Sequence, residues 1–399
     1  MTKSRFLFFL ASSLLVLPIL AGSIVGAAVE EPAVPGGDSL YKYLSVFTET
    51  LGLVDQTYVE ESDQGALLGA ALDGVTDALD PLAVYVPEDA VAGYLQARDV
   101  GSDHSGLFLL RERGMVYALA VRDGSPGAEA GVEEGDLIAE IDGRSTRVMP
   151  MWEIQKVLAG APGTEVSLKL VRFAETKDAT VALRPFEAPA PVLEVRDGVA
   201  VVTLAAIDRD APERVRGLLE RAREAGADRL LLDLRGVAGG DAEAAYEVAG
   251  LFAGGDLGRL ERRGEALEGF TGGEPLWTGR IVVLTDRATL GPAELLASVL
   301  RQKAAAETVG QRTFGYAGRQ SMLELASGGI LFLADAFYTG PDFEPLDEPL
   351  EPDVRVDARL RTFSQTEEGA GEDEEVPDVV LEKGLELLRE PEPAVEKAA

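Results

Sequence analysis

The chain has 399 residues, 46 % of them apolar and 27 % charged, a size and composition suited to two or three globular domains. Its formal net charge of −32 sets it against nucleic acid and anionic lipid head groups, so neither is an expected partner. With no cysteine and a single histidine, His104, it cannot build disulfides, thiolate metal sites or zinc sites on several histidines, and a Ser-His-Asp triad could use only that residue.

Lys3 and Arg5 precede an apolar or small-residue run from Phe6 to Ala28. Residues 1–28 read as an export signal or an uncleaved membrane anchor. Gly26-Ala27-Ala28 offers a small-residue cleavage site, yet the run is also long enough to span a bilayer, so both readings stand. Either one places the rest outside the cytoplasm, in the periplasm or cell envelope, secreted or tethered by residues 6–28. Residues 29–39 are a Pro/Gly-rich linker. Residues 40–98 carry helical periodicity, with Leu44, Phe47, Leu51 and Val54, then Leu67, Leu68, Ala71, Leu72, Val75 and Leu79, and close on "ALDPLAVYVPED".

Residues 99–186 change style. "MVYALAV" (115–121) and "TEVSLKLVRF" (164–173) alternate as strands between Gly-rich turns, and one helix is expected over 150–159 with Met151, Ile154, Val157 and Leu158 on one face. His104 is read as a solvated loop residue. From 187 to 360 the rhythm is strand, helix, strand: strands at 199–205, 229–234 and 280–285, helices at 212–225, at 241–253 and from Pro292. That alternation implies a parallel sheet with helices on its faces and chemistry beyond the carboxyl ends of its strands. "DLRGVAGG" and "TDRATLG" sit at such ends, and Asp233 and Arg235 can pair there. Residues 361–378 are acidic and read as disordered; 379–399 hold a short amphipathic helix (379–390) and a tail. No phosphate loop, dinucleotide fingerprint or metal-ligand cluster is present, so no cofactor and no metal are expected.

"HSGLFL", "GSPGAEAGVEEGDLIAEIDG" and "LAGAPGTEVSLKLVR" together resemble a PDZ domain of the bacterial protease type. The resemblance implies a peptide-binding loop at Ser105, Gly106, Leu107 and Phe108, whose backbone N–H groups face a terminal carboxylate, with Ile154 and Leu158 lining the groove beside an added strand. The implied partners are protein C-termini or unfolded peptides. Around this module, "LDPLAVYVPED", "LLLDLRGVAGG", "VVLTDRATLGPAELLASVLRQ", "TVGQRTFGYAGRQ" and "LEPDVRVD" follow in an order that resembles the carboxyl-terminal processing, or tail-specific, serine peptidases over about residues 40–360. The fold implied is α+β and multidomain: an N-terminal helical domain, an inserted PDZ β-rich module and an α/β peptidase-like core of the ClpP/crotonase-like kind.

That family is similar in using a Ser-Lys dyad, the lysine acting as base once burial has made it neutral. Its serine lies three residues before a glutamate at a helix start. Here Glu294 matches the glutamate and Gly291 takes the serine's place; Tyr316 takes the lysine's. Positions 291 and 316 are 25 residues apart, the family's own interval, so no insertion hides the dyad. Gln320 matches the glutamine that supports the lysine. Gly236, Val237 and Ala238 replace the asparagines and proline of the oxyanion-stabilising loop. Among substitutes, Thr289 stands two residues before Gly291 but lacks a base, and Ser298 and Lys303 fall on different helix faces. As scaffold the stretch reads well: Gly291 as N-cap, Pro292 at the first helical position, Glu294 where its charge suits the helix dipole. The expected function is that of a degenerate family member that binds tails or extended peptides as scaffold or regulator of extracytoplasmic proteolysis, with a peptidase or envelope protein as partner. The alternative is an active serine/threonine endopeptidase with a relocated nucleophile.

Overall fold

A computed structural model describes residues 37–357 and 377–390. The expected signal or anchor (1–28), most of the linker and of the acidic segment, and the tail beyond 390 lie outside the described residues. The chain divides into two compact units between Leu68 and Gly69. Among the described residues no helix is long and apolar enough to cross a membrane.

The first unit contains helix α1 (Gly37–Thr57) and the opening of α2 (Gln64–Leu79). The periodicity of Leu44, Phe47 and their partners gives the helix, but Tyr41, Tyr43, Leu44 and Val46 of α1 are exposed.

The second unit begins with the rest of α2. The stretch "ALDPLAVYVPED", read as the turn that ends the helical unit, includes a short strand, β1 (Val84–Val86), before α3 (Val91–Val100). Strand β1 escapes periodicity because three residues hold no pattern; it forms by pairing with a strand some 250 positions later, Val84 opposite Phe332.

The β-rich module follows as β2 (Leu107–Glu112), β3 (Met115–Val121), short helix α4 (Pro126–Glu129), β4 (Leu137–Ile141), β5 (Arg144–Ser145), α5 (Met151–Leu158), β6 (Glu165–Arg172) and β7 (Glu175–Ala182). Its sheet runs β2-β3-β4-β6-β7, which leaves β2 at an edge. Strand β3 alternates half-buried and buried residues, and its inward Val116 and Ala118 meet Ile138, Ile154 and Leu170 in one core. The buried Asp136 carboxylate holds Arg172, with Nε 2.6 Å from Oδ1 and Nη2 2.8 Å from Oδ2, and so pins the turn before β4 to β6.

The core sheet consists of β8 (Val192–Arg196), β9 (Val199–Thr203), β10 (Arg229–Asp233), β13 (Arg280–Thr285), β14 (Glu307–Gly310) and β17 (Val354–Arg355), in order β17-β14-β13-β10-β9-β8. All neighbours are parallel except the edge strand β8. Leu230, Leu231 and Leu232 are fully buried, as a run covered on both faces requires. Helices α6 (Ala211–Glu224), α7 (Ala242–Ala249) and α8 (Pro292–Lys303) cover one face. The other face is sealed by α9 (Val379–Arg389), whose Val380, Leu385 and Leu388 pack on Leu231, Val282 and Leu284. Helix α7 stops at Ala249, short of the expected 253, because the chain turns at Gly250 into a second sheet. That sheet, with order β1-β16-β11-β12 and β15 beside β16, holds β11 (Gly255–Arg262), β12 (Glu265–Gly272), β15 (Gly318–Glu324) and β16 (Ile330–Tyr338).

Candidate functional site

Strand β13 ends at Thr285 and α8 begins at Pro292, so the chain must reverse sharply between them. Asp286 organises the turn. Its carboxylate accepts the N–H groups of Gly236, Ala288 and Thr289, at 2.8–3.2 Å, which ties the 286–290 loop to the 236–240 loop. Leu290 N–H adds a bond to the Val237 carbonyl at 3.1 Å. Gly291 closes the reversal with φ 66° and ψ −113°. A residue held there sits on a sharp strand-to-helix turn, the kind of backbone that presents a nucleophile in other hydrolases. A Cβ placed on Gly291 would meet nothing closer than the Tyr316 carbonyl oxygen, at 3.7 Å. The seat has space for a side chain and has none.

Glu294 joins this turn to the strand-like segment that carries Tyr316. Its Oε2 accepts the N–H of Gly291 at 2.9 Å and the N–H of Tyr316 at 2.9 Å, and Oε1 accepts the N–H of Gly315. Phe314 N–H reaches the Thr289 carbonyl at 3.1 Å. Burial pushes the Glu294 carboxyl above its usual range, against the pull of the Thr313 hydroxyl and these N–H donors. Positions 291 and 316, a quarter-hundred residues apart in sequence, are thereby neighbours in space.

Tyr316 is buried, its ring edge-on to Phe337 with centroids 5.4 Å apart. Its hydroxyl bonds Asp80, from the end of the helical segment, and receives Gln320 Nε2 at 3.4 Å. Burial, with Asp80's negative charge, drives the phenol far above its ordinary value, so the hydroxyl keeps its proton and cannot serve as a base. Gln320 thus stands beside residue 316, while its buried carbonyl oxygen has no partner among the described residues. Thr289 is fully buried. Its hydroxyl lies 3.0 Å from both the Leu234 carbonyl and Asp286 Oδ1, and it accepts the Asp286 N–H. Those bonds hold two loops together and leave no path to substrate. Ser298 is buried within α8, bonded to Gln302, while Lys303 is exposed. Asp233 and Arg235 pair doubly, at 2.9 and 2.6 Å, and Arg235 also holds Asp378 at the start of α9.

A cavity of about 460 Å³ opens where the β-rich module meets the core. Ser105, Leu107, Phe108, Ile154 and Leu158 line one side, from edge strand β2 and helix α5. Ala238, Gly239 and Gly240 of the core loop close the far end, and Asp80 and Arg98 line the wall between. Phe108 reaches to within 3.8 Å of where a Cβ on Gly239 would lie. Gly106 does not line the cavity. It has φ 73°, and a Cβ on it would fall 2.0 Å from Ser125 Cβ, so the turn into β2 admits glycine alone. Two of the expected cradle amides are engaged within the loop: Gly106 N–H with the Ser102 carbonyl at 2.6 Å, and Leu107 N–H with Ser105 Oγ at 3.3 Å. His104 is half-buried rather than solvated, because its Nδ1 bonds the Gly160 carbonyl at 2.8 Å. Gly106→Ala is expected to displace β2 and destabilise the chain by about 2–4 kcal/mol. Thermal unfolding monitored by circular dichroism checks this; an unchanged melting curve would show the turn is not so tight.

Residues 198–356 match the model of peptidase family S41, and residues 117–172 match a PDZ domain. An S41 peptidase core and a PDZ domain are thus the parts that the chain shares with known families. Among similar proteins, a probable CtpA-like serine protease of Staphylococcus aureus (strain COL) is 23 % identical over 314 residues, covering 76 % of this chain and 63 % of its own. The counterpart from Staphylococcus haemolyticus (strain JCSC1435) is 22 % identical over 313 residues, covering 76 % and 62 %. The chain thus spans just under two thirds of the length of those relatives. The photosystem II D1 C-terminal processing protease shares the fold, with a TM-score of 0.65 at 22 % identity over 78 % of this chain and 92 % of that one. The multidomain α+β arrangement, with a PDZ module and an S41 core, is therefore as expected.

Asp80 and Arg98 were not legible as site residues in the sequence. The one signal was that "LDPLAVY" belongs to the ordered set of family-like motifs.

Proposed function

We propose that this chain, with its S41 peptidase core and PDZ domain, holds extended protein tails without cutting them. The observation that carries this reading is the pair of residues at the two adjacent seats: a glycine at the mouth of α8 and a tyrosine whose hydroxyl keeps its proton. Neither can attack a carbonyl or accept a proton, and Thr289 is locked between loops. What remains is a groove. Edge strand β2 can accept an extended chain as a further strand, with the half-buried Phe108 and Met151 offering apolar surface to its end and the buried Leu107, Ile154 and Leu158 behind them. The cavity continues to the core loop at Gly239, so a bound tail leads toward the vacant seat at Gly291. In this role the protein is a scaffold or regulator of proteolysis, with a peptidase or envelope protein as partner, acting outside the cytoplasm on the strength of its basic-then-apolar leader.

Full-length protein incubated with an intrinsically disordered substrate is expected to bind it and to leave it intact over days, read by intact mass. It is also expected to escape labelling by a fluorophosphonate probe. Cleavage, or labelling that disappears in Thr289→Val, would replace this reading with that of a working endopeptidase.

A further inference from the structure

Three arginines line the cavity: Arg98, Arg111 and Arg122. Two of them are matched by acids. Arg111 lies 3.4 Å from Asp77 and bonds the Thr146 and Met149 carbonyls. Arg122 lies 3.2 Å from Asp103. The cavity's other acid, Asp80, spends its oxygens on the Leu82 and Ala334 N–H groups and on Tyr316. Arg98, on α3 across from the PDZ strand, has no carboxylate at ion-pair distance among the described residues. Its guanidinium lies against the Tyr94 hydroxyl and 4.1 Å from the centre of the Phe332 ring, two neutral contacts. Phe332 sits in β16 and packs with Tyr94 at 5.8 Å, so a fixed aromatic surface backs the cation.

A guanidinium on an aromatic face is positioned, weakly hydrated and charged at every physiological pH. Acids outnumber bases 69 to 37 in this chain, yet among the described residues none lies at ion-pair distance from this cation. Two of the loop amides expected to meet a terminal carboxylate, those of Gly106 and Leu107, are at the same time occupied by Ser102 and Ser105. We propose that Arg98 is the carboxylate partner of the bound tail: the helical segment, not the PDZ loop alone, supplies the positive charge that selects acid-bearing peptide ends. This assignment rests on the groove reading above. The carboxylate can belong to the peptide's own C-terminus or to an Asp or Glu side chain near it, and both present the same planar pair of oxygens to the fork of the guanidinium.

The test uses the full-length chain and three fluorescent decapeptides with the same apolar last residue, read by anisotropy. One ends in a free carboxylate with neutral side chains. The second is its C-terminal amide. The third is an amide with a glutamate next to the last residue. In Arg98→Gln the affinity for whichever carboxylate-bearing peptide uses this cation is expected to fall about five- to tenfold, with the neutral amide unchanged. Loss confined to the first peptide identifies the chain terminus as the source; loss confined to the third identifies the side chain. Arg98→Lys, which keeps the charge but not the fork, is expected to recover only part of the affinity. Equal binding of all three peptides by Arg98→Gln and wild type overturns the assignment and leaves the groove standing. Failure of the wild-type chain to bind any of them overturns the groove reading, and this assignment with it.

Discussion

The double variant Gly291→Ser, Tyr316→Lys is expected to cleave a disordered substrate slowly, about 10²–10³-fold above the wild-type background. Loss of a serine-protease dyad forfeits roughly 10⁴–10⁶ in rate, and its return here is partial because Gly236, Val237 and Ala238 stand in the oxyanion-stabilising loop. Space is not the obstacle, since a Cβ at 291 meets only the Tyr316 carbonyl oxygen at 3.7 Å. The backbone is: a serine at φ 66°, ψ −113° costs on the order of 1–3 kcal/mol in strain, so the variant should melt earlier than its parent. The pH dependence is set by Asp80, which bonds the group at position 316. A carboxylate beside an amine favours the ammonium form and raises the lysine's pKa, opposing burial. Only the neutral amine acts as base, so the rate should climb about tenfold per pH unit below that pKa and level off above it. Adding Asp80→Asn should shift the rising limb toward neutral pH. Activity in either single variant, or none in the double variant at pH 10, would show that 291 and 316 are not the seats of the reaction.

Glu294→Ala is the substitution expected to cost the most stability. The side chain is 2 % exposed and accepts the N–H groups of Gly291, Gly315 and Tyr316. Alanine removes the acceptor and strands buried donors, each worth roughly 1–3 kcal/mol when unsatisfied. An expected loss of about 3–6 kcal/mol follows, some of it recovered where water enters. Glu294→Gln keeps the shape but turns one oxygen into a donor, and should lose about 1–3 kcal/mol. Urea unfolding of the variants checks both values. An alanine variant within 1 kcal/mol of wild type would mean that Glu294 does not hold the two seats together.

Much of the core could be read from the residues because it is built from local pattern. The stretches Val199–Val202, Leu230–Leu232 and Ile281–Leu284 are apolar throughout, as strand interiors covered on both faces must be, and Pro292 with Glu294 marks the start of α8. The second sheet could not. Strand β11 is irregular, with register shifts between Asp256 and Gly258 and between Leu260 and Glu261, and its pairing with β16 joins residues nearly eighty positions apart. The same holds for the site. Positions 291, 316 and 320 followed from ordered motifs and lie together. Asp80 and Arg98 did not emerge, because their setting comes from α2, α3 and β16 meeting in space, which no window of sequence contains.

Helix α9 carries a consequence for how the molecule comes into being. It covers the sheet face formed by Leu231, Val282 and Leu284, and at Gly384 it approaches so closely that a Cβ would lie 2.9 Å from the Leu231 and Leu284 side chains. During synthesis that face stays wet until residue 389 has been made. A nascent chain lacking α9 therefore carries a greasy, half-covered sheet, and the last dozen described residues are the ones that shield it.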